Sequence, residues 1–147
     1  MQRWTPSRWL ARAFSKSPHH LCTGKKGERL AQRWLQRRGY RTVARNMRLG
    51  ADEIDLLMWA PRREALVIVE VKTRVLPRGA SGEAHNPLDS MTSTKQARQM
   101  RAGQQLIARL ARSDQAIRFD VVSVRLPDGG RPVVEHYVSA FDHKRGA

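Results

Sequence analysis

Apolar positions recur along this chain with two different periods, and the period changes mark its elements. In residues 23–39, TGKKGERLAQRWLQRRG, the residues Leu30, Ala31, Trp34 and Leu35 fall on one stripe at helical spacing, with basic residues around them and Gly39 as a stop. Glu28 stands three positions before Ala31 and seven before Leu35, so it shares their side and points towards the core edge. Residues 40–46 alternate as a strand does, and 49–52 (LGAD) read as a turn. EIDLLMWA (53–60) and ALVIVEVKTR (65–74) read as two strands joined by the short connection PRRE, hence an antiparallel hairpin. A loop rich in Gly, Pro and small polar residues follows, from about Val75 to Ser90. Residues 92–113 carry Ala97, Met100, Leu106, Ile107 and Leu110 on a helix with a weak point at Gly103. AIRFDVVSVRL (116–126) is a strand, PDGG (127–130) a turn, and RPVVEHYVSAF (131–141) the last strand.

The order α-β-β-β-α-β-β predicts the α/β (α+β) class, a mixed β-sheet flanked by helices. One domain over 23–142 accounts for the pattern, preceded by a basic, flexible extension over 1–22 and followed by a short tail, 143–147. His19 and His20 fall in that extension and carry no specific expectation.

Charge adds a partner to the picture. The 147 residues hold 28 Lys and Arg against 13 Asp and Glu, a net of +15. That excess favours a polyanion, with nucleic acid first and an anionic membrane surface second. A compositional drift towards Arg is the bland alternative. Cys22 is the single cysteine, which excludes an intrachain disulfide and suits a reducing, cytoplasmic setting. No apolar run approaches the roughly 18 residues of a membrane helix, and the first twenty residues lack the apolar core of a signal peptide.

VIVEVKTR (67–74) carries the chemistry. Glu70 and Lys72 alternate with Val69 and Val71, so they share one face of an apolar strand. If Ala60 pairs with Ala65 around the hairpin, Leu57 faces Ile68 and Asp55 faces Glu70. Two carboxylates in an apolar setting either share a proton or hold a divalent cation. Lys72 then supplies a positive charge beside them, and Glu28 a further oxygen. A structural ion pair at the sheet edge explains the same residues without chemistry.

GKKGERLAQRWLQRRGY, ARNMR, DEIDLLM, VIVEVKTR, RFDVVSV and the closing SAF together resemble the YraN-like (UPF0102) family of small bacterial proteins. That family's pattern is G-x-x-G-E, N-x-R, G-E-I-D-L, V-E-V-K-x-R and R-F-D-V, and the resemblance covers roughly residues 23–142. The family is similar to the PD-(D/E)XK nuclease superfamily and, within it, to archaeal-type Holliday-junction resolvases. The resemblance implies a restriction-endonuclease-like core and a Mg²⁺ (or Mn²⁺) cofactor. It implies Asp55 and Glu70 as metal ligands, Lys72 as the catalytic lysine, and Glu28 as an auxiliary acid and further ligand. Arg29 resembles the basic neighbour of that acid. Asp52 stands where the family has Gly, which adds an acid beside the site and perturbs the turn.

Arg45, Arg48, Arg74 and Lys95 complete the expected nucleic-acid contacts, while Arg118 and Asp120 read as a structural pair. Trp34, Trp59, Phe119 and Phe141 read as core. The expected function is a Mg²⁺-dependent nuclease on structured or branched DNA, with DNA favoured over RNA. The alternatives are a non-catalytic nucleic-acid-binding protein on the same fold, or a membrane-surface or assembly factor driven by the basic extension. Resolvase-like behaviour also leaves a homodimer open.

Overall fold

A computed structural model describes residues 22–80, 86–110 and 114–141. The expected flexible extension (apart from Cys22), the tail over 143–147 and part of the loop after Arg74 lie outside the described residues.

Helix α1 (Cys22–Gln36) is followed by strands β1 (Arg41–Leu49), β2 (Asp52–Trp59) and β3 (Leu66–Leu76). Helix α2 (Ser93–Leu110) then leads to β4 (Ile117–Pro127) and β5 (Val133–Tyr137). This is the α-β-β-β-α-β-β order the sequence predicts. The five strands form one mixed sheet in the order β1-β2-β3-β4-β5. All neighbours are antiparallel except β3 and β4, which run parallel because α2 carries the chain back across the sheet.

Each face of the sheet buries one helix. Ala31 and Leu35 of α1 pack on Leu56, Met58, Val67, Val69, Val122 and Val124. Ala102 and Leu106 of α2 pack on Leu49, Leu57, Ile68 and Phe119 from the other side. Burying a side chain such as Leu35 or Leu106 contributes roughly 1.5–3 kcal/mol. With helices on both faces, the first half of β3 has water on neither side, which is why it is a continuous apolar run.

Several local expectations change. The turn between β1 and β2 is only Gly50 and Ala51, since Leu49 and Asp52 pair as strand residues. Ala97 is exposed rather than on the buried stripe of α2, which runs instead through Gln99, Ala102, Gly103 and Leu106. Gly103 is no weak point: a Cβ there would meet Phe119 Cζ at 3.0 Å, so glycine lets the helix approach the sheet closely. The last strand ends at Tyr137, and Phe141 lies beyond it, stacked on Phe119 with ring centroids 5.0 Å apart.

Arg118 and Asp120 form the expected structural pair within a larger network. Arg118 Nε and Nη2 donate to the two Asp120 oxygens at 2.9 and 2.8 Å, and Nη2 also donates to Tyr40 Oη at 2.7 Å. His136 Nε2 and the Ser139 N–H reach the same carboxylate. This network lies under α1, since Val67 and Val69, the register partners of Arg118 and Asp120, belong to the cluster packed on that helix.

Candidate metal and phosphate site between the two helix starts

The hairpin fixes the site. β2 and β3 pair in the register Leu56–Val69, Leu57–Ile68, Met58–Val67 and Trp59–Leu66. The turn closes through the Ala60 N–H donating to Ala65 O at 3.0 Å. The next pair in that register is Asp55 with Glu70, as the sequence predicts. Backbone pairing stops one step before it, and the Val71 N–H donates to Asp55 Oδ2 at 2.8 Å. The strands part where the carboxylates begin.

β1 and β2 also lose regular alternation here. Ala44 and Met47 share a core cluster across three positions, as do Ile54 and Leu57. The irregular residue of β1 is Asn46, at φ 47°, a left-handed conformation that Asn tolerates better than branched residues. It stands opposite Asp55, between the pairs Arg45–Leu56 and Met47–Ile54.

Glu70 is held at both oxygens. Lys72 Nζ donates to Oε1 at 2.7 Å, and Gln99 Nε2 of α2 donates to Oε2 at 3.1 Å. Gln99 is 7% exposed, and its Oε1 is buried with no hydrogen-bond partner among the described residues. Such an orphan acceptor is costly unless a water or ligand reaches it. Glu28 projects from the first turns of α1. Its helix can come this close because Gly27 lies against Thr73 of β3, where a Cβ would overlap the threonine side chain.

The electrostatics are those of crowded acids. Asp55 as a residue is only half-buried, yet desolvation of its carboxyl is the largest influence on it, followed by the Glu70 charge. Together they push the Asp55 carboxyl up to about 8, against the pull of the Val71 hydrogen bond. Glu28 and Glu53 add to that repulsion. Burial also raises the Glu28 carboxyl, opposed by its hydrogen bond with Asn46. Burial works against the Lys72 ammonium, but the hydrogen bond to Glu70 outweighs it and the amine is raised. Lys95, at the start of α2, is lowered chiefly by its hydrogen bond with Lys72.

Asp55, Glu70, Lys72 and Lys95 therefore come together, with Gln99 as an unanticipated fifth member. Glu28 is near enough to raise Asp55 but is turned to Asn46. Among the described residues no three Asp, Glu, His or Cys side chains converge to hold one ion. Two carboxylates still suit Mg²⁺, which is commonly bound by one or two carboxylates with water and substrate phosphate completing the shell. The raised Asp55 carboxyl marks a place where a cation would relieve like-charge crowding.

Arg29, Arg45, Arg48 and Arg74 are all exposed, and Arg45 lies close enough to Glu28 to lower its carboxyl. Asp52 is not a free acid. It is 4% exposed and bonded by Arg101 of α2, with Nε at 2.8 Å from Oδ2 and Nη2 at 2.6 Å from Oδ1. Asn46 and Gln99 are the residues sequence reasoning passed over. Gln99 had a readable signal: it stands three before Ala102 and seven before Leu106, a polar side chain on a buried helical stripe.

The "Uncharacterised protein family UPF0102" matches residues 27–124. The chain is similar to a UPF0102 protein of Pelobacter propionicus, 34% identical over 143 residues that span 97% of this chain and 98% of that one. It is also similar to UPF0102 proteins of Anaeromyxobacter dehalogenans, 40% identical over 81% of this chain and 83% of that one, and of Rhodopirellula baltica, 39% identical over 88% and 75%. No helix among the described residues is long and apolar enough to cross a membrane.

Proposed function

The chain belongs to the UPF0102 family, and from that premise we propose that it is a metal-dependent nuclease acting on structured or branched DNA. The observation that carries this reading is the unpaired step of the hairpin. There Asp55 and Glu70 crowd two carboxylates together beside the Lys72 and Lys95 amines. A purely structural ion pair is already complete in Lys72 and Glu70, 2.7 Å apart. It would gain nothing from a second carboxylate driven so far from its ordinary ionisation.

Asp55 and Glu70 are the groups that would hold Mg²⁺ or Mn²⁺, with Glu28 in reserve for a water or a further ligand. When bound, such an ion polarises a phosphate and acidifies a water. The protein's own share is orientation and charge. Val71 N–H and Gln99 Nε2 fix the two carboxylates from opposite sides, so neither is free to turn away. Lys72 Nζ, anchored on Glu70 Oε1, orients an attacking water and offsets negative charge developing on the phosphate. Lys95 adds a second amine beside Lys72, whose proximity holds the Lys95 ammonium form down. Arg29, Arg45, Arg48 and Arg74, all exposed and close in sequence to the site residues, would serve as contacts to the phosphate backbone.

One observation favours a second reading, binding without turnover: no third acid converges with Asp55 and Glu70 among the described residues. A nuclease-like fold can keep its acids and only bind. Calorimetric titration with Mn²⁺, paired with a panel of junction, flap, single-stranded and RNA substrates, separates the two. The nuclease reading expects metal binding that Asp55→Asn removes, together with metal-dependent cleavage. Nucleic-acid binding with neither leaves the second reading standing.

A further inference from the structure

Helix α1 has an exposed basic face that runs beyond the candidate site and shares only its Arg29 end with it. Of its residues and the turn that follows, Lys25, Lys26, Arg29, Arg33, Gln36, Arg37, Arg38 and Gly39 are exposed, and all but the glycine are Lys, Arg or Gln. Four of them, Lys25, Arg29, Arg33 and Arg37, recur at every fourth position and so form one ridge inclined to the helix axis. Arg37 belongs to it because its N–H still donates to Arg33 O at 3.1 Å, one turn back. The helix's one acid, Glu28, is turned to Asn46 instead. No ion pair to Arg29, Arg33 or Arg37 is formed among the described residues. Arg38 stands aside from the ridge, stacked on Trp34 with its guanidinium 3.2 Å from the ring centroid and donating to Trp34 O.

We infer that this ridge is a track for a nucleic-acid phosphate backbone, leading away from the Asp55–Glu70 centre along the outside of α1. Four like charges along about 18 Å, at the helical rise of about 1.5 Å per residue, repel one another in the free protein, and among the described residues only Lys25 has an acid, Glu28, near it. They gain from a partner that brings negative charge at comparable spacing. Double-stranded DNA offers one phosphate per about 1.7 Å of axis, so every cation on the ridge can find one. The near end, at Lys25 and Arg29, flanks Glu28 and hence the candidate centre. A strand held there continues naturally along Arg33 and Arg37. An anionic membrane fits less well: an interfacial helix needs outward apolar residues, and those of α1 (Leu30, Ala31, Trp34 and Leu35) all pack on the sheet.

This rests on nucleic acid being the partner, as proposed above, but not on turnover. The test therefore measures binding in EDTA. Full-length protein is titrated against labelled duplex and four-way-junction DNA across a salt series, as wild type, Arg33→Gln, the triple variant Arg29→Gln/Arg33→Gln/Arg37→Gln, and Arg131→Gln as an exposed control on another part of the surface. The slope of log affinity against log salt should become shallower by about 0.9 for Arg33→Gln and about 2.7 for the triple variant, and stay at the wild-type value for Arg131→Gln. Equal slopes for the triple variant and wild type overturn the inference. So does an effect no larger than that of Arg131→Gln, or the absence of DNA binding altogether. Phosphatidylserine vesicles provide the remaining arm: vesicle binding lost in the triple variant with the DNA slope intact would assign the ridge to a membrane and overturn the inference. If the slope changes as expected while wild type cleaves nothing in Mg²⁺, the track stands and the nuclease reading falls.

Discussion

Asp55 and Glu70 face each other at the first step where β2 and β3 cease to pair, and their proximity, added to burial, pushes the Asp55 carboxyl up to about 8. The fold thus contains a local instability at the point where its chemistry is proposed. Unfolded, Asp55 ionises near its ordinary value. Folded, it resists ionisation. Its contribution is therefore most favourable below about pH 4 and is progressively lost as pH rises towards 8.

Asp55→Asn should therefore stabilise the metal-free protein at neutral to alkaline pH, by roughly 1–4 kcal/mol, with the gain shrinking towards pH 4. Urea denaturation in EDTA at a series of pH values checks this. Adding Mg²⁺ should raise the melting temperature of wild type and leave that of Asp55→Asn unmoved. A melting temperature indifferent to Mg²⁺ in both proteins would count against a metal at this site.

Gln99 should matter through Glu70. Gln99→Leu removes the donor to Glu70 Oε2 and the orphaned Oε1 at once. Its fold stability should change little, while Mn²⁺ affinity measured by calorimetry should fall about 10–100-fold, the usual effect of losing a group that orients a ligand. Gln99→Glu, which sets a third acid against Glu70, should raise the melting temperature gain on Mn²⁺ addition above that of wild type.

Gly27 sets how closely α1 approaches β3. Gly27→Ala drives a methyl group into Thr73 and should destabilise the protein by about 1–3 kcal/mol. Thr73→Ala should recover part of that loss in the double variant. Denaturation midpoints of the two single variants and the double variant give the coupling directly.

Asp120 predicts the opposite pH behaviour to Asp55. Burial favours its neutral form, but the His136, Arg118 and Ser139 hydrogen bonds win and hold its carboxyl below the ordinary range. A depressed folded value means stability present above the unfolded value near 3.9 and lost as pH falls through the folded one. Asp120→Asn should be destabilised by about 3 kcal/mol or more at pH 7, because it leaves Arg118 without its partner. Its stability difference from wild type should narrow below about pH 4.

The periodic parts of this fold were legible from the sequence. The hairpin register followed from Ala60, Ala65 and a four-residue connection, so Asp55 could be set opposite Glu70 by counting. Strand alternation likewise put Glu70 and Lys72 on one face. Legibility failed where a residue's role depends on long-range packing. Gly103 looked like a helix defect, because only the tertiary structure reveals Phe119 pressed against it. Asp52 looked like a free acid, because its Arg101 partner lies 49 residues away. Asn46 breaks the alternation of β1 with a left-handed residue, and no period-two pattern can anticipate which way its side chain then turns. Glu28 sits half-buried at the core edge, as its spacing predicts, but spacing within the helix does not reveal that Asn46 of β1 lies near enough to lower its carboxyl.

The most direct test of the central claim is the initial rate of cleavage of a labelled four-way DNA junction by wild type, Asp55→Asn and Lys72→Ala in Mg²⁺, with EDTA as the blank. The account predicts cleavage by wild type that EDTA abolishes and that each substitution lowers by about 100-fold or more, with junction binding retained. Cleavage that survives both substitutions, or a wild type that binds the junction in Mg²⁺ and Mn²⁺ and leaves every strand intact, would contradict it.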